Sequence, residues 1–175
     1  MTLAEDTVRL PNNLETSYLR IVPVKNHSVG VIAINAKNEI LLQREYSYPP
    51  DKILWQLPGG GMNSGESIKR AALRELREES NLTAKKIKTI GFFYVDNRRS
   101  DAKQYIVVCR DLKYCLGVAD PEEFIENVWV SLDNLNKLIA DGEIQNMNLL
   151  AALSLWKHVK LPKSVNNLST LFVGY

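Results

Sequence analysis

A glycine-rich turn followed by a charged helix decides the fold of this chain. Residues 58–82 read PGGGMNSGESIKRAALRELREESNL. From Glu66 to Ser80 the stretch has no Gly or Pro and is rich in Ala, Leu, Arg and Glu, which predicts a helix. The glycines before it allow the backbone to approach a phosphate or to offer a carbonyl oxygen to a metal ion.

The predicted helix carries carboxylates beside its apolar face. At about 100° per residue, Glu75 and Glu79 lie within roughly 20° of the apolar Ile68, and Glu78 lies next to them. Three carboxylates at this spacing repel one another, and the helix dipole disfavours them near the C-terminus. A hard cation such as Mg²⁺ would compensate this charge and keep water ligands for a phosphate substrate. The alternative is a solvated helix with charge pairs between neighbouring turns.

Composition and charge exclude several classes of protein. The chain has 175 residues, with 22 basic and 20 acidic side chains, which suits one compact domain and makes nucleic acid an unexpected partner. Its apolar runs, such as 31–34 and 149–153, fall far short of the about 20 residues of a membrane span. Glu5 and Asp6 argue against a secretory signal. Cys109 and Cys115 have no metal or redox spacing, so we expect reduced thiols and a cytoplasmic protein.

The order of the remaining segments predicts an α/β fold. Residues 1–17 are polar and turn-rich, and we expect a loosely held lead-in there. A hairpin loop is expected at residues 35–38. Further helices are expected from Ser131 or Asp133 to Ala140 and over residues 148–159. The segments with strand character are 18–24, 29–34, 40–44, 53–57, 87–95, 105–110 and 124–130. This pattern predicts a mixed sheet with helices on its faces.

The charged helix and its glycine turn together resemble the Nudix box. The spacing is Gly60-x5-Glu66-x7-Arg74-Glu75-Leu76-x-Glu78-Glu79-x-Asn81-Leu82, which agrees with the box at eight of nine specified positions. The one departure is Asn81, which stands where the box has glycine. This position ends the helix, and Asn is the next best residue after Gly for a left-handed conformation.

The resemblance to Nudix hydrolases implies a fold and an activity. The implied fold is an α/β/α sandwich around a mixed central sheet. The implied divisions are an N-terminal extension with a strand over 1–24, the Nudix domain over 25–160 and a C-terminal tail over 161–175. Members hydrolyse a nucleoside diphosphate linked to another moiety and use Mg²⁺ or Mn²⁺.

The resemblance also implies roles for individual residues. The implied metal ligands are Glu75, Glu78, Glu79 and the carbonyl of Gly59. Arg74 and Glu66 are implied as the pair that orients them, and Gly60 as structural support. The general base in many members is a glutamate in a loop before a late strand. Glu123 is the first candidate here, and Glu126 is the second or a further metal ligand; ordinary loop charges are the alternative.

Three other stretches resemble the ADP-ribose pyrophosphatase branch of the family. Residues 44–49 read REYSYP where that branch has RQYRYP, residues 56–60 read QLPGG where it has ELPAG, and 126–132 are also similar. Ser47 and Gln56 depart from the pattern, and no proline lies about sixteen residues beyond the box. The candidate substrate-binding residues are Arg44, Tyr46, Arg98 and Arg99. For the last two, solvated loop charges are the alternative.

The resemblance favours an ADP-sugar such as ADP-ribose as substrate. It also implies a homodimer whose N-terminal strands help to complete the partner's site. Two alternatives remain open. One is an RNA 5′-pyrophosphohydrolase, which the near-neutral charge disfavours. The other is a non-catalytic nucleotide-sensing regulator, which the intact set of three box carboxylates disfavours.

Overall fold

The computed structural model describes residues 2–23, 25, 27–117 and 124–159. The strands are β1 Thr2–Arg9, β2 Glu15–Val22, β3 His27–Ala33, β4 Ile40–Ser47, β5 Lys52–Gln56, β6 Gly59–Gly61, β7 Leu82–Tyr94, β8 Lys103–Tyr114 and β9 Ile125–Val130. The helices are α1 Ile68–Ser80, α2 Leu132–Ala140 and α3 Met147–His158.

A four-stranded mixed sheet lies at the centre of the domain. Its order is β6-β3-β8-β7, with β3 parallel to β8 and the other pairs antiparallel. Alternate residues of β3 point to opposite faces, so Val31 packs toward α1 while Ile32 packs toward α2 and α3. A second, antiparallel sheet has the order β5-β4-β9. Helical layers therefore cover both faces of a mixed sheet, and the predicted α/β sandwich is confirmed.

The turn at residues 35–38 forms as predicted, but it does not close a hairpin ladder. Asn38 adopts a left-handed conformation with φ 61°, and its amide donates to the Asn35 carbonyl at 3.0 Å. The Asn35 amide donates to the Glu39 carbonyl at 3.1 Å and an isolated bridge joins Ile34 to Ile40, but β3 and β4 lie in different sheets. Since β6 and β8 already pair with the two edges of β3, β4 joins the other sheet. The turn thus passes the chain from one sheet to the next.

The expectation of a loose lead-in over residues 1–17 is wrong. β1 and β2 form an antiparallel hairpin in register from the Thr2–Val22 pair to the Arg9–Glu15 pair. An ion pair of 2.6 Å joins Arg9 to Glu15, and another links Arg20 with Asp6 across the strands. These polar cross-strand pairs support a strand that has few apolar residues. The strand predicted at 18–24 is β2, and Val24 lies outside the described residues.

The ends of α1 follow from capping. Ser67 accepts a hydrogen bond from the Arg70 amide at 3.3 Å, so the helix begins at Ile68 and not at Glu66. It ends at Asn81, whose φ of 56° and ψ of 34° are the left-handed values predicted for this position. β7 then starts directly at Leu82, earlier than predicted. Helix α1 is therefore held between two tight turns against the central sheet.

Candidate active site

The Arg74 guanidinium lies at the centre of the charged cluster on α1. Its Nε and Nη2 atoms donate to the two carboxylate oxygens of Glu66 at 3.0 and 2.9 Å, and Nη2 also donates to the Gly61 carbonyl at 3.0 Å. This two-pronged contact holds the pKa of Glu66 down, to about 2, and raises that of Arg74. The guanidinium is thereby fixed in orientation, since it has several partners that are themselves part of the loop and helix.

Glu75 and Glu78 share the remaining nitrogen of Arg74. Nη1 donates to Glu75 at 2.8 Å and to Glu78 at 3.1 Å. Glu75 is only 7% exposed, and its burial raises its pKa against the opposing effect of Arg74. The two carboxylates are thus held at one edge of the helix, with Glu75 largely removed from water.

Glu79 is held by a different set of donors. One of its carboxylate oxygens accepts from the Gly59 amide at 3.0 Å and from Gln43 Nε2 at 3.1 Å. The same Gln43 nitrogen also donates to Asn127 Oδ1 at 3.3 Å, and Asn127 Nδ2 donates to the Glu79 carbonyl at 2.7 Å. Gln43, which is 1% exposed, is not among the site residues that the sequence predicts. Its signal is a polar residue directly after a run of buried apolar ones in β4.

Close contacts at Gly59 and Gly60 leave no room for a side chain at either position. A Cβ on Gly60 would lie 2.6 Å from the Glu75 carboxylate, and a Cβ on Gly59 would lie 2.1 Å from the Val29 carbonyl. Gly59 touches Glu79 through its amide and Gly60 borders Glu75, so one thin loop borders two of the three predicted metal ligands. The role of the Gly59 carbonyl as a further ligand stays a prediction.

The donor chemistry of this cluster fits a hard divalent cation. Three carboxylates contact one guanidinium, which leaves excess negative charge beside a buried glutamate. Carboxylate oxygens are the ligands that Mg²⁺ and Mn²⁺ prefer. Within the described ranges, no three His, Cys, Asp or Glu side chains converge as a ready metal site. The carboxylates instead accept hydrogen bonds within the protein, Glu75 and Glu78 from Arg74 and Glu79 from Gly59 and Gln43.

Two of the predicted substrate residues lie on β4, beside the cluster and not within it. Arg44 pairs with Glu126 of β9 at 3.0 Å and lies over the Trp55 ring at 5.7 Å. Tyr46 donates to Asp51 at 2.9 Å. Strand alternation turns Arg44 and Tyr46 to the face opposite Gln43, away from Glu79. Glu126, the partner of Arg44 and the second candidate for the base, directly precedes the Asn127 that contacts Glu79.

Arg98 and Arg99 lie on an exposed turn after β7 and contact the N-terminal hairpin. The Arg98 carbonyl accepts from the Tyr18 hydroxyl, and the Arg99 carbonyl accepts from the Ile21 amide at 2.7 Å. Their backbone thus anchors β2, and their side chains are exposed. The first candidate for the general base, Glu123, lies outside the described residues.

The structure combines a mixed sheet between helical layers with a carboxylate-rich helix packed against a glycine loop. These two features together define the class of protein. The chain belongs to the NUDIX family, since residues 24–153 match the NUDIX domain. It is a Nudix hydrolase, and its similarities point to the ADP-ribose pyrophosphatase branch.

Three individual proteins illustrate the similarity of this chain to known relatives. An ADP-ribose pyrophosphatase of Bacillus subtilis (strain 168) is 27% identical over 150 residues, which is 85% of this chain and 80% of the relative. A methanol dehydrogenase activator of Bacillus methanolicus is 29% identical over 86% of this chain and 82% of its own length. An RNA pyrophosphohydrolase of Novosphingobium aromaticivorans is 28% identical over 63% of this chain and 80% of its own length.

Among solved structures, one described as an ADP compounds hydrolase has the same fold. Its TM-score is 0.79, and the match covers 89% of this chain and 83% of the other at 24% identity. Among the described residues, no helix combines the length and the apolar character that crossing a membrane requires.

Proposed function

We propose that this Nudix pyrophosphohydrolase uses Mg²⁺ or Mn²⁺ to cleave an ADP-sugar, with ADP-ribose as the first candidate, to AMP and a sugar phosphate. The observation that carries the proposal is the cluster of three box carboxylates around the glycine loop, all oriented by fixed donors. The similarity to an ADP-ribose pyrophosphatase over most of both chains supports the substrate class.

Glu75, Glu78 and Glu79 are the residues that would hold the cation. When bound, a divalent ion neutralises the pyrophosphate and activates water for attack on phosphorus. In this hydrolysis a water oxygen bonds to one phosphorus while the bond from that phosphorus to the bridging oxygen breaks. The proton lost by the water goes to a general base, for which Glu123 is the first candidate and Glu126 the second.

The other residues of the cluster act by positioning. Glu66 fixes Arg74 through two parallel hydrogen bonds, and Arg74 in turn orients Glu75 and Glu78. The Gly59 amide and Gln43 set the direction of the Glu79 carboxylate. Such supporting contacts keep ligands in the productive geometry.

A panel of ADP-ribose, ADP-glucose, other nucleoside diphosphate derivatives and 5′-triphosphorylated RNA with Mg²⁺ tests the proposal, with released monophosphate as the readout. Glu79→Gln should abolish turnover while leaving the melting temperature near that of the wild type. Glu143→Gln, on the exposed loop before α3, is the matched control and should keep full activity. Full activity of Glu79→Gln would refute the metal-site assignment. Turnover of the RNA alone would favour the RNA pyrophosphohydrolase alternative.

We also propose that the protein is a cytoplasmic homodimer that pairs through its N-terminal hairpin. Leu3 and Leu19 are 63% and 60% exposed on one face of β1 and β2, which form a sheet of their own. A two-stranded sheet alone is marginally stable, so an apolar partner surface would stabilise it. Free Cys109 and Cys115 support a reducing compartment. Sedimentation at 19.8 kDa at micromolar concentration would refute the dimer.

A further inference from the structure

A cavity of about 200 Å³ lies beside the glycine loop. Gly59 and Gly60 form part of its wall, and the same two residues contact the Glu79 and Glu75 carboxylates. Because neither glycine has a side chain, only backbone separates the charged cluster from the cavity. A substrate whose pyrophosphate lies at the carboxylates can therefore reach the cavity with an adjoining group.

Amide side chains dominate the polar wall of this cavity. They are Gln56 from β5, Gln104 from β8, and Asn146 and Asn148 at the start of α3. None of the described residues that line the cavity carries a charge. Where the ADP-ribose pyrophosphatase pattern has glutamate, this chain has Gln56, so its departure from that pattern lies in this wall. A neutral wall favours a neutral, polar group and disfavours a phosphate.

Two of the amides are held by protein partners, and two have open acceptors. Gln56 donates to Glu45 at 2.9 Å and accepts from Asn146 at 3.3 Å. In contrast, Gln104 Oε1 and Asn148 Oδ1 are buried and accept no hydrogen bond from any described residue. A buried acceptor without a donor is costly, so these two atoms call for a donor from a bound water or from a ligand in the cavity.

The sheet makes room for one of these amides. A Cβ on Gly30 would lie 3.0 Å from Gln104 Nε2 and 3.1 Å from Ile106 Cδ1. The glycine on β3 thus allows the Gln104 side chain to lie against the sheet at the cavity. This close packing fixes Gln104 as part of a built wall and not as a mobile surface group.

The size and chemistry of the cavity favour a sugar. A volume of about 200 Å³ equals that of about six or seven water molecules, which is room for one ring. Its apolar lining consists of aliphatic residues, whereas bases are usually held by stacking on aromatic rings. Hydroxyl groups both donate and accept, so they match a wall of amides, which offer both functions.

We infer that this cavity binds the hydroxylated sugar on the far side of the pyrophosphate, with sugar hydroxyls donating to Gln104 Oε1 and Asn148 Oδ1. The assignment rests on the proposed function for the position of the pyrophosphate. It makes Gln104 and Asn148 specificity residues that lie outside the Nudix box.

Binding of ADP-ribose and of ADP separates the sugar from the nucleoside. Both are titrated calorimetrically with Mg²⁺ in the Glu79→Gln background, where turnover is absent. Gln104→Met and Asn148→Leu keep the side-chain size but remove the acceptor, and each should weaken ADP-ribose about tenfold. ADP lacks the distal sugar, so its affinity should stay within twofold. Gln145→Met, which changes an exposed amide on the preceding loop, is the control and should leave both affinities unchanged.

Each other outcome overturns a defined part of the inference. Equal weakening of ADP and ADP-ribose would place the nucleoside in the cavity and refute the sugar assignment. Unchanged affinity for both ligands would show that the cavity does not contact the substrate. If Gln104→Met lowers the melting temperature strongly, Asn148→Leu on α3 carries the test alone. Weaker ADP-ribose binding in these variants, together with no hydrolysis by the wild type, would refute the proposed function while the sugar site stands.

Discussion

Replacement of Asn81 by alanine should destabilise the protein by about 2 kcal/mol. Asn81 ends α1 with φ 56°, a left-handed conformation that costs alanine about 1 kcal/mol more than asparagine. Its Oδ1 also accepts a hydrogen bond from the Gly117 amide at 2.8 Å. Loss of that bond costs a further about 1 kcal/mol. The backbone bonds of Asn81 to Arg77 and Cys115 need no side chain and should persist.

Glycine at the same position separates the two contributions. Asn81→Gly restores the residue of the box and adopts the left-handed conformation without strain, but it also loses the bond to Gly117. The two effects oppose each other, so the net change should be within about 0.5 kcal/mol of zero. Asn81→Asp keeps an acceptor oxygen and is the matched control for the hydrogen bond.

Urea denaturation at 25 °C, followed by circular dichroism, measures these differences through the midpoint and the slope. A loss of about 2 kcal/mol for Asn81→Ala corresponds to a fall in Tm of roughly 4–8 °C for a domain of this size. Equal stability of the alanine and glycine variants would refute the contribution of the left-handed conformation. A loss below about 0.5 kcal/mol for alanine would refute both contributions.

Three further predictions concern the cluster and the core. Arg74→Lys cannot form the two-pronged contact with Glu66, so kcat in steady-state assays should fall about 100-fold with little change in KM. Gln43→Leu removes a donor to Glu79 and should lower kcat about tenfold without loss of fold. Burial raises the pKa of the Cys109 thiol to about 12, so at pH 8 a thiol reagent should label Cys115 and spare Cys109 until the protein unfolds. Because the unfolded thiol ionises near pH 9, the stability linked to Cys109 should be lost as pH rises from about 9 to 12.

The box helix could be predicted from the sequence because its contacts are local. Glu66 and Arg74 lie eight residues apart, and the resemblance to the Nudix box implies the pair that their hydrogen bond forms. The left-handed end at Asn81 is likewise a property of a single residue type at a helix end. Such features depend on helix period and capping, which are determined by short stretches of sequence.

Contacts between distant segments could not be predicted in this way. Gln43 reaches Glu79 only because β4 crosses beside the end of α1, and its partner Asn127 comes from β9. Strand alternation likewise turns Arg44 away from the cluster, although it is adjacent to Gln43 in sequence. The N-terminal hairpin depends on polar pairs such as Arg20 with Asp6, and a pattern of apolar residues does not predict such pairs.

The difference between local and distant contacts suggests how substrate specificity can vary in this fold. The three box carboxylates come from α1 and contact the glycine loop or Arg74, whereas Gln43 and the candidates for the general base lie outside the box. The cavity beyond the loop takes Gln56, Gln104 and Asn148 from three separate elements outside the box. Substitutions there can change the recognised group without touching a metal ligand or its support. Relatives with the same box and different substrates are therefore expected from this geometry. We expect the substrate selectivity of this chain to depend on the amide side chains of the cavity wall.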